Sequence, residues 1–242
     1  MIVTGQARTS KCGGPPIEYA PDGQIGVYSE SAKTFVYVSK VDPKGIASIS
    51  KWKALIADAA ARNGLPEAWI AGFMLQESRG NQNALSPAGA IGLMQLMPIS
   101  GNFATAASIA NRKVGSADLK DPTLNVLTGA KLLRTLADSP ACNWNVVHMA
   151  ASYNAGKVIC SSKCDGKYQA GWGWHVVEDC GYVGHVIQSI NAAVVSGQFN
   201  GTIESRSVKA TARGIKAFVI AAGIVAAVGY AWTQRAVLLG NQ

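Results

Sequence analysis

The amino-acid sequence predicts a mainly α protein, α+β only through a short amino-terminal β-hairpin, that closes on a hydrophobic helix. Three features carry that expectation. Apolar residues recur at helical spacing in several segments between residues 50 and 198. Two short runs rich in β-branched and aromatic residues stand before residue 42. A run without charge, residues 217–232, lies near the carboxyl terminus. With 242 residues, 48% hydrophobic and 15% charged, the chain is long and apolar enough to bury a substantial core, and disorder over most of its length is excluded.

At the amino terminus, Ile25, Val27 and Tyr28, then Thr34, Phe35, Val36, Tyr37, Val38 and Val41, read as two strands joined by residues 29–33. A lone hairpin is marginal in water, so this arm, residues 1–49, is expected to pack on the next domain or on a partner. Residues 1–8 lack the apolar run of a secretory signal peptide.

The helical domain, residues 50–198, follows. Ser50 is the expected N-cap of a helix carrying Trp52, Leu55, Ile56 and Ala59 and stopping at Gly64. Pro66 suits the first turn of the next helix, in which Trp69, Ile70, Phe73 and Met74 recur at helical spacing up to Glu77. A carboxylic acid beside an apolar face is disfavoured as an anion. Glu77 is therefore able to hold a proton near neutral pH and give it to a leaving group. A lone glutamate at a helix end is more often simply solvated, and its surroundings must decide. Glycines with Ser86 and Pro87 mark turns, and a short helix is expected near Leu93 to Met97.

Asp121-Pro122 opens another helix with Leu124, Leu127, Leu133 and Leu136 as its stripe and Pro140 just past its end. Asn143 is expected to cap a helix through Val146, Val147, Met149 and Ala150 that stops at Gly156. The last helix of the domain holds Tyr182, Val183, Val186, Ile187, Ile190 and Val194, with Gly197 as its stop. His148 and His185 fall inside helices and read as structural residues rather than ligands.

Glu77-Ser78, followed by Ser86-Pro87-Ala88-Gly89-Ala90-Ile91-Gly92-Leu93-Met94-Gln95-Leu96-Met97-Pro98, resembles the signature of the lytic transglycosylases with a goose-type lysozyme fold. Asp121-Pro122-x-x-Asn125, Gly129-Ala130-x-Leu132-Leu133 and Tyr153-Asn154-Ala155-Gly156 extend the resemblance over roughly residues 50–195. It implies a lysozyme-like domain that cleaves peptidoglycan, with Glu77 as catalytic acid and then base. By the same resemblance Ser86, Met94, Gln95, Tyr153, Asn154 and Tyr182 bind substrate, the Tyr182 hydroxyl lying near the acid. Asp121 and Asn125 take structural roles, as cap and loop anchor. The family's Thr-Arg pair before the tyrosine is absent; Cys180-Gly181 precede Tyr182 here. The resemblance implies neither a metal nor an organic cofactor.

The net charge of +8 suits an anionic partner: nucleic acid, phospholipid headgroups or a cell wall bearing carboxylates. The sequence has neither zinc-finger spacing nor an RNA-binding signature, so nucleic-acid specificity is not expected. Half of the excess lies in residues 201–242, where Arg206, Lys209, Arg213, Lys216 and Arg235 face Glu204 alone. Five cysteines stand at 12, 142, 160, 164 and 180. The last four with His175 make a weak zinc pattern, and disulfides bracing a long loop are the stronger reading in an oxidising space. Trp172 and Trp174 suit sugar stacking and packing equally.

Residues 199–213 read as a linker and 214–242 as a hydrophobic, membrane-inserting helix with Gly223, Ala227 and Ala231 at four-residue spacing. A wall-cutting domain with no export signal and a basic, membrane-like tail fits a phage virion protein, internal and membrane- or tail-associated, acting in the host periplasm during genome delivery. Its expected partners are glycan strands, the membrane and other virion proteins. Two alternatives stand beside it. One is a wall-remodelling enzyme of a secretion or conjugation apparatus. The other is a structural virion or membrane-penetration protein whose lysozyme-like domain only binds wall.

Overall fold

A computed structural model of the protein describes residues 16–29, 32–39, 42–156 and 178–202. The fold is mostly helical with one small sheet. Strands β1 (Ile17–Tyr19), β2 (Ile25–Ser29) and β3 (Thr34–Tyr37) pair antiparallel in the order β1-β2-β3, with Val27 opposite both Ile17 and Val36. The expected hairpin thus gains a third strand and ends earlier, at Tyr37. Strand β1 was illegible because its three residues, caught between Pro16 and Pro21, are too few to show alternation. Ile17, Tyr19, Ile25 and Val27 are buried in the main core. The Tyr19 hydroxyl donates to the Trp144 carbonyl at 2.5 Å, and the Tyr19 ring lies 5.8 Å from Trp69. The sheet therefore packs on the helical domain.

Helix α1 (Pro43–Ser50) begins at Asp42, whose side chain accepts the Gly45 N–H at 2.8 Å. Ser50, expected as an N-cap, is instead the last residue of α1. Its hydroxyl turns back to the Ile46 carbonyl and to Gln198, and Trp52 precedes α2 (Lys53–Asn63). Helix α3 (Glu67–Ser78) buries every residue from Ala68 to Leu75, so it is a central core helix rather than an amphipathic surface one. Helix α4 (Ser100–Ala110), which the sequence reading did not anticipate, buries only Ala106. A 3₁₀ turn (Asp118–Lys120) leads into α5 (Pro122–Asp138), where Asp121 accepts the Leu124 N–H at 2.7 Å as expected.

Helix α6 (Val146–Ala155) is capped by Asn145, which accepts the Val147 N–H at 3.0 Å. Asn143, the expected cap, sits two residues too early in a left-handed conformation (φ 45°). Between Leu93 and Met97 there is a tight turn rather than a short helix. Gly92 and Gln95 both have positive φ, and Ile91 pairs as a bridge with Leu85 and Leu96.

Helix α7 (Glu178–Val195) lies against α3. A Cβ on Gly72 would fall 2.4–2.8 Å from side-chain and backbone atoms of Ile190, so the two helices touch almost backbone to backbone. Beyond α7 the chain stays packed. Phe199 is buried, the Asn200 carbonyl accepts the Ala68 N–H at 3.0 Å, and Gly201 abuts Gly23. Residues 199–201, expected to begin a linker, are packed against the domain. The hydrophobic run at 214–242, the cysteines at 12, 160 and 164, and Trp172 and Trp174 lie outside the described residues. Cys142 is a buried free thiol. Among the described residues, no helix is long and apolar enough to cross a membrane.

Candidate active site

Glu77 is the penultimate residue of α3. The chain then leaves the helix through Arg79 and Gly80, both at positive φ. Three bonds hold this exit in place. The Ser48 hydroxyl donates to the Arg79 carbonyl at 2.7 Å, the Trp52 indole N–H to the Gly80 carbonyl at 3.0 Å, and the Ser78 hydroxyl to the Leu93 carbonyl at 2.8 Å. The Arg79 guanidinium also pairs with Asp42. The glutamate is thus fixed at the end of a rigid rod rather than on a loop.

Its carboxyl is half-buried, and burial pushes its pKa up from 4.5 to about 7. The Tyr182 hydroxyl donates to Oε1 and pulls in the opposite direction. Burial wins, so near neutral pH the group is poised between acid and base. The phenols of Tyr153 and Tyr182 are pushed well above their ordinary range, first by burial and then by the Glu77 charge, so both remain neutral donors. Among the described residues, no second carboxylate perturbs Glu77. Retaining and inverting hydrolases both use a second carboxyl group facing the acid, roughly 5 to 9.5 Å away.

The glycine-rich loop after α3 is pinned from below by Asn125, almost wholly buried on α5. Its side-chain oxygen accepts the Met94 N–H at 2.8 Å, and its amide donates to the carbonyls of Ile91 (2.9 Å) and Leu119 (2.8 Å). Gly92 makes room, since a Cβ there would fall 2.6 Å from the Asn125 amide nitrogen. The Tyr153 hydroxyl donates to the Met94 carbonyl at 2.7 Å, and its ring lies 5.1 Å from Phe73.

The structure brings some of the expected site residues together and leaves others apart. Tyr182 touches Glu77 directly, and Tyr153 reaches it electrostatically. Gln95 and Tyr153 line one cavity of about 210 Å³, which Met97, Ile99, Asn102 and Leu132 also border. The Met94 side chain is fully buried against Gly129, so only its backbone faces the loop partners. The Ser86 hydroxyl closes its own turn on the Ala90 N–H at 2.9 Å, and the Gln95 amide donates to the Gly92 carbonyl at 2.9 Å. Asn154 is exposed at the end of α6.

The structure thus brings together a half-buried carboxyl at the end of a core helix, a tyrosine hydroxyl on it, and a glycine-rich loop pinned by an asparagine. Residues 54–171 match the transglycosylase SLT domain. The chain is similar to transglycosylases over this segment. It is 35% identical over 141 residues to the transglycosylase of Enterobacteria phage PRD1, covering 58% of this chain and 43% of the phage protein. It is also 37% identical over 89 residues to the membrane-bound lytic murein transglycosylase C of Histophilus somni, covering 36% of this chain and 24% of that one. The chain thus spans less than half the length of these curated relatives. Among solved structures, the lytic transglycosylase Slt of Pseudomonas aeruginosa matches 60% of this chain and 24% of its own, at 27% identity and a TM-score of 0.46.

The sequence reading gave no role to Ser48 or Asn191, and it read Trp52 only as part of a helix stripe. A signal for the first was present, because the dipeptide that opens α5 at Asp121-Pro122 also stands at Asp42-Pro43, where it opens α1. Nothing local distinguishes Asn191.

Proposed function

We propose that the SLT domain is a peptidoglycan lytic transglycosylase that cleaves the β-1,4 bond between N-acetylmuramic acid and N-acetylglucosamine and leaves 1,6-anhydro ends. The observation that carries the reading is Glu77, a half-buried carboxyl with its pKa pushed up to about 7 and a neutral tyrosine hydroxyl on Oε1. Protonated Glu77 gives its proton to the glycosidic oxygen as the C1–O bond breaks, and the substrate's own N-acetyl carbonyl stabilises the developing cation. The resulting carboxylate takes the proton of the C6 hydroxyl as its oxygen closes on C1. Water is not consumed, and Glu77 ends protonated. One acid suffices for these two proton transfers. Gln95 and Tyr153 border the sugar groove with Ser86 and Asn154, and Met94 contributes through its backbone. Tyr182 orients the acid.

The wider context is a phage virion enzyme that opens the wall locally during genome delivery. Residues 1–49 form its arm, 50–198 its catalytic domain, 199–213 a linker with its first residues packed on that domain, and 214–242 a membrane-inserting helix. Likeness to the PRD1 transglycosylase and the net charge of +8 support this reading. Likeness to the membrane-bound murein transglycosylase supports a second one, a cellular wall-remodelling enzyme. Mass spectrometry of fragments released from purified peptidoglycan tests the chemistry. Anhydro-terminated fragments, each one water lighter than the hydrolytic product, are expected. Ordinary reducing ends overturn the lyase reading.

A further inference from the structure

We infer that the amino-terminal sheet is part of the catalytic apparatus and that Asn191 is the positioning residue through which it acts. The inference rests on the proposed role of Glu77 as the acid. Strands β1 to β3 lie wholly outside residues 54–171, the segment that matches the SLT domain. Yet they grip α7, the helix that carries Tyr182.

The grip is made by one side chain. Asn191 is fully buried, and its oxygen accepts the Ile25 N–H at 2.7 Å. Its amide donates to the carbonyls of Ile25 and Val38, both at 3.0 Å. Bonding both the N–H and the C=O of Ile25 makes the amide behave as a further strand residue against β2. It also fixes α7 in translation and rotation, because a slide of one residue would break all three bonds. A buried amide left without them is strongly disfavoured, so the register is not easily changed.

Two further contacts between α7 and α3 bear on its position. One is the close approach of Gly72 to Ile190, the neighbour of Asn191, and the other is the Tyr182 hydroxyl on Glu77. The first is a smooth contact without direction, and the second is the one that chemistry needs. Asn191 lies nine residues, or two and a half turns, beyond Tyr182 on the same rigid helix, so an error in its seating is passed directly to the hydroxyl. Misplacement of a catalytic group by about 1 Å is enough to lower a rate by about 10²-fold.

The test is a double-mutant cycle on the full chain, with turnover of soluble glycan strands as the readout. Asn191→Leu is expected to lower kcat about tenfold or more with KM changed less than about twofold. In a Tyr182→Phe background the same substitution is expected to lower kcat by less than about twofold, because the group it positions is already gone. Equal losses in both backgrounds, or no loss in the first, overturn the inference and leave Asn191 a stability residue. If the leucine variant does not fold, Asn191→Asp is read in the same way, since it keeps the acceptor for Ile25 and loses both donors. Glu77→Gln, assayed alongside, reports separately on the acid. Activity there removes the proposed mechanism, whereas an inactive Glu77→Gln with additive Asn191 effects removes only the role of the sheet.

Discussion

At Glu77, burial favours the protonated carboxyl while the Tyr182 hydroxyl favours the anion, and burial prevails to leave the pKa near 7. An acid of this kind loses activity as it loses its proton. Turnover is therefore expected to fall about tenfold per pH unit above about 7, which a pH profile on purified wall would check. Tyr182→Phe removes the stabiliser of the anion, so the alkaline limb should move to higher pH while the maximal rate drops. Glu77→Gln keeps the shape but neither gives nor takes the proton, and a rate loss of about 10²-fold or more is expected. Loss of less than about tenfold would remove Glu77 as the acid.

The same carboxyl also makes stability depend on pH. Its folded pKa is above the ordinary 4.5, so the folded state holds the proton more tightly than the unfolded chain does. The contribution is most favourable below about 4.5 and is lost as pH rises through about 7. Glu77→Gln should accordingly stabilise the protein more at pH 8 than at pH 5, by on the order of 1–3 kcal/mol after allowance for solvent screening. Thermal unfolding at the two pH values measures this.

Among the elements, α5 and the loop above it depend on one amide. Asn125→Ala would take this partner from the Met94 N–H and the Leu119 carbonyl and leave the Ile91 carbonyl with the Leu96 N–H alone. A loss of about 2–4 kcal/mol in denaturant unfolding is expected, with glycan binding falling because the loop carrying Gln95 relaxes. The contact of α3 with α7 has a different weak point. Gly72→Ala pushes a methyl group into the Ile190 backbone, which cannot move aside as a flexible side chain would. It should cost about 1–3 kcal/mol and loosen the Tyr182–Glu77 bond.

For the molecule as a whole, the described packing runs through Thr202, four residues beyond the expected domain end. Removal of residues 204–242 is expected to leave a domain that still cleaves purified wall, whereas a cut at 198 would strip Phe199 and Asn200 from the core and should fail to fold. If the hydrophobic run inserts in a bilayer, the full chain partitions with liposomes and resists release by salt, which screens charge but not apolar burial. Release by salt alone would leave only a basic anchor.

The sequence by itself determined α5 and α7 through apolar periodicity, and α3 and α6, buried nearly all round, through their apolar runs and end signals. It also singled out Glu77 as the candidate acid, through the family resemblance of the string from Glu77 to Pro98. What it could not determine were contacts made across the chain. Strand β1 has too few residues to show a period, α4 buries only Ala106, and the turn at Gly92–Gln95 is set by Asn125 from another element. The sequence anticipated the direction of the Glu77 shift, but its size and the grip of Asn191 on Ile25, 166 positions away, exist only after folding. Both depend on how much water is excluded and on which surfaces meet, and no local pattern encodes either.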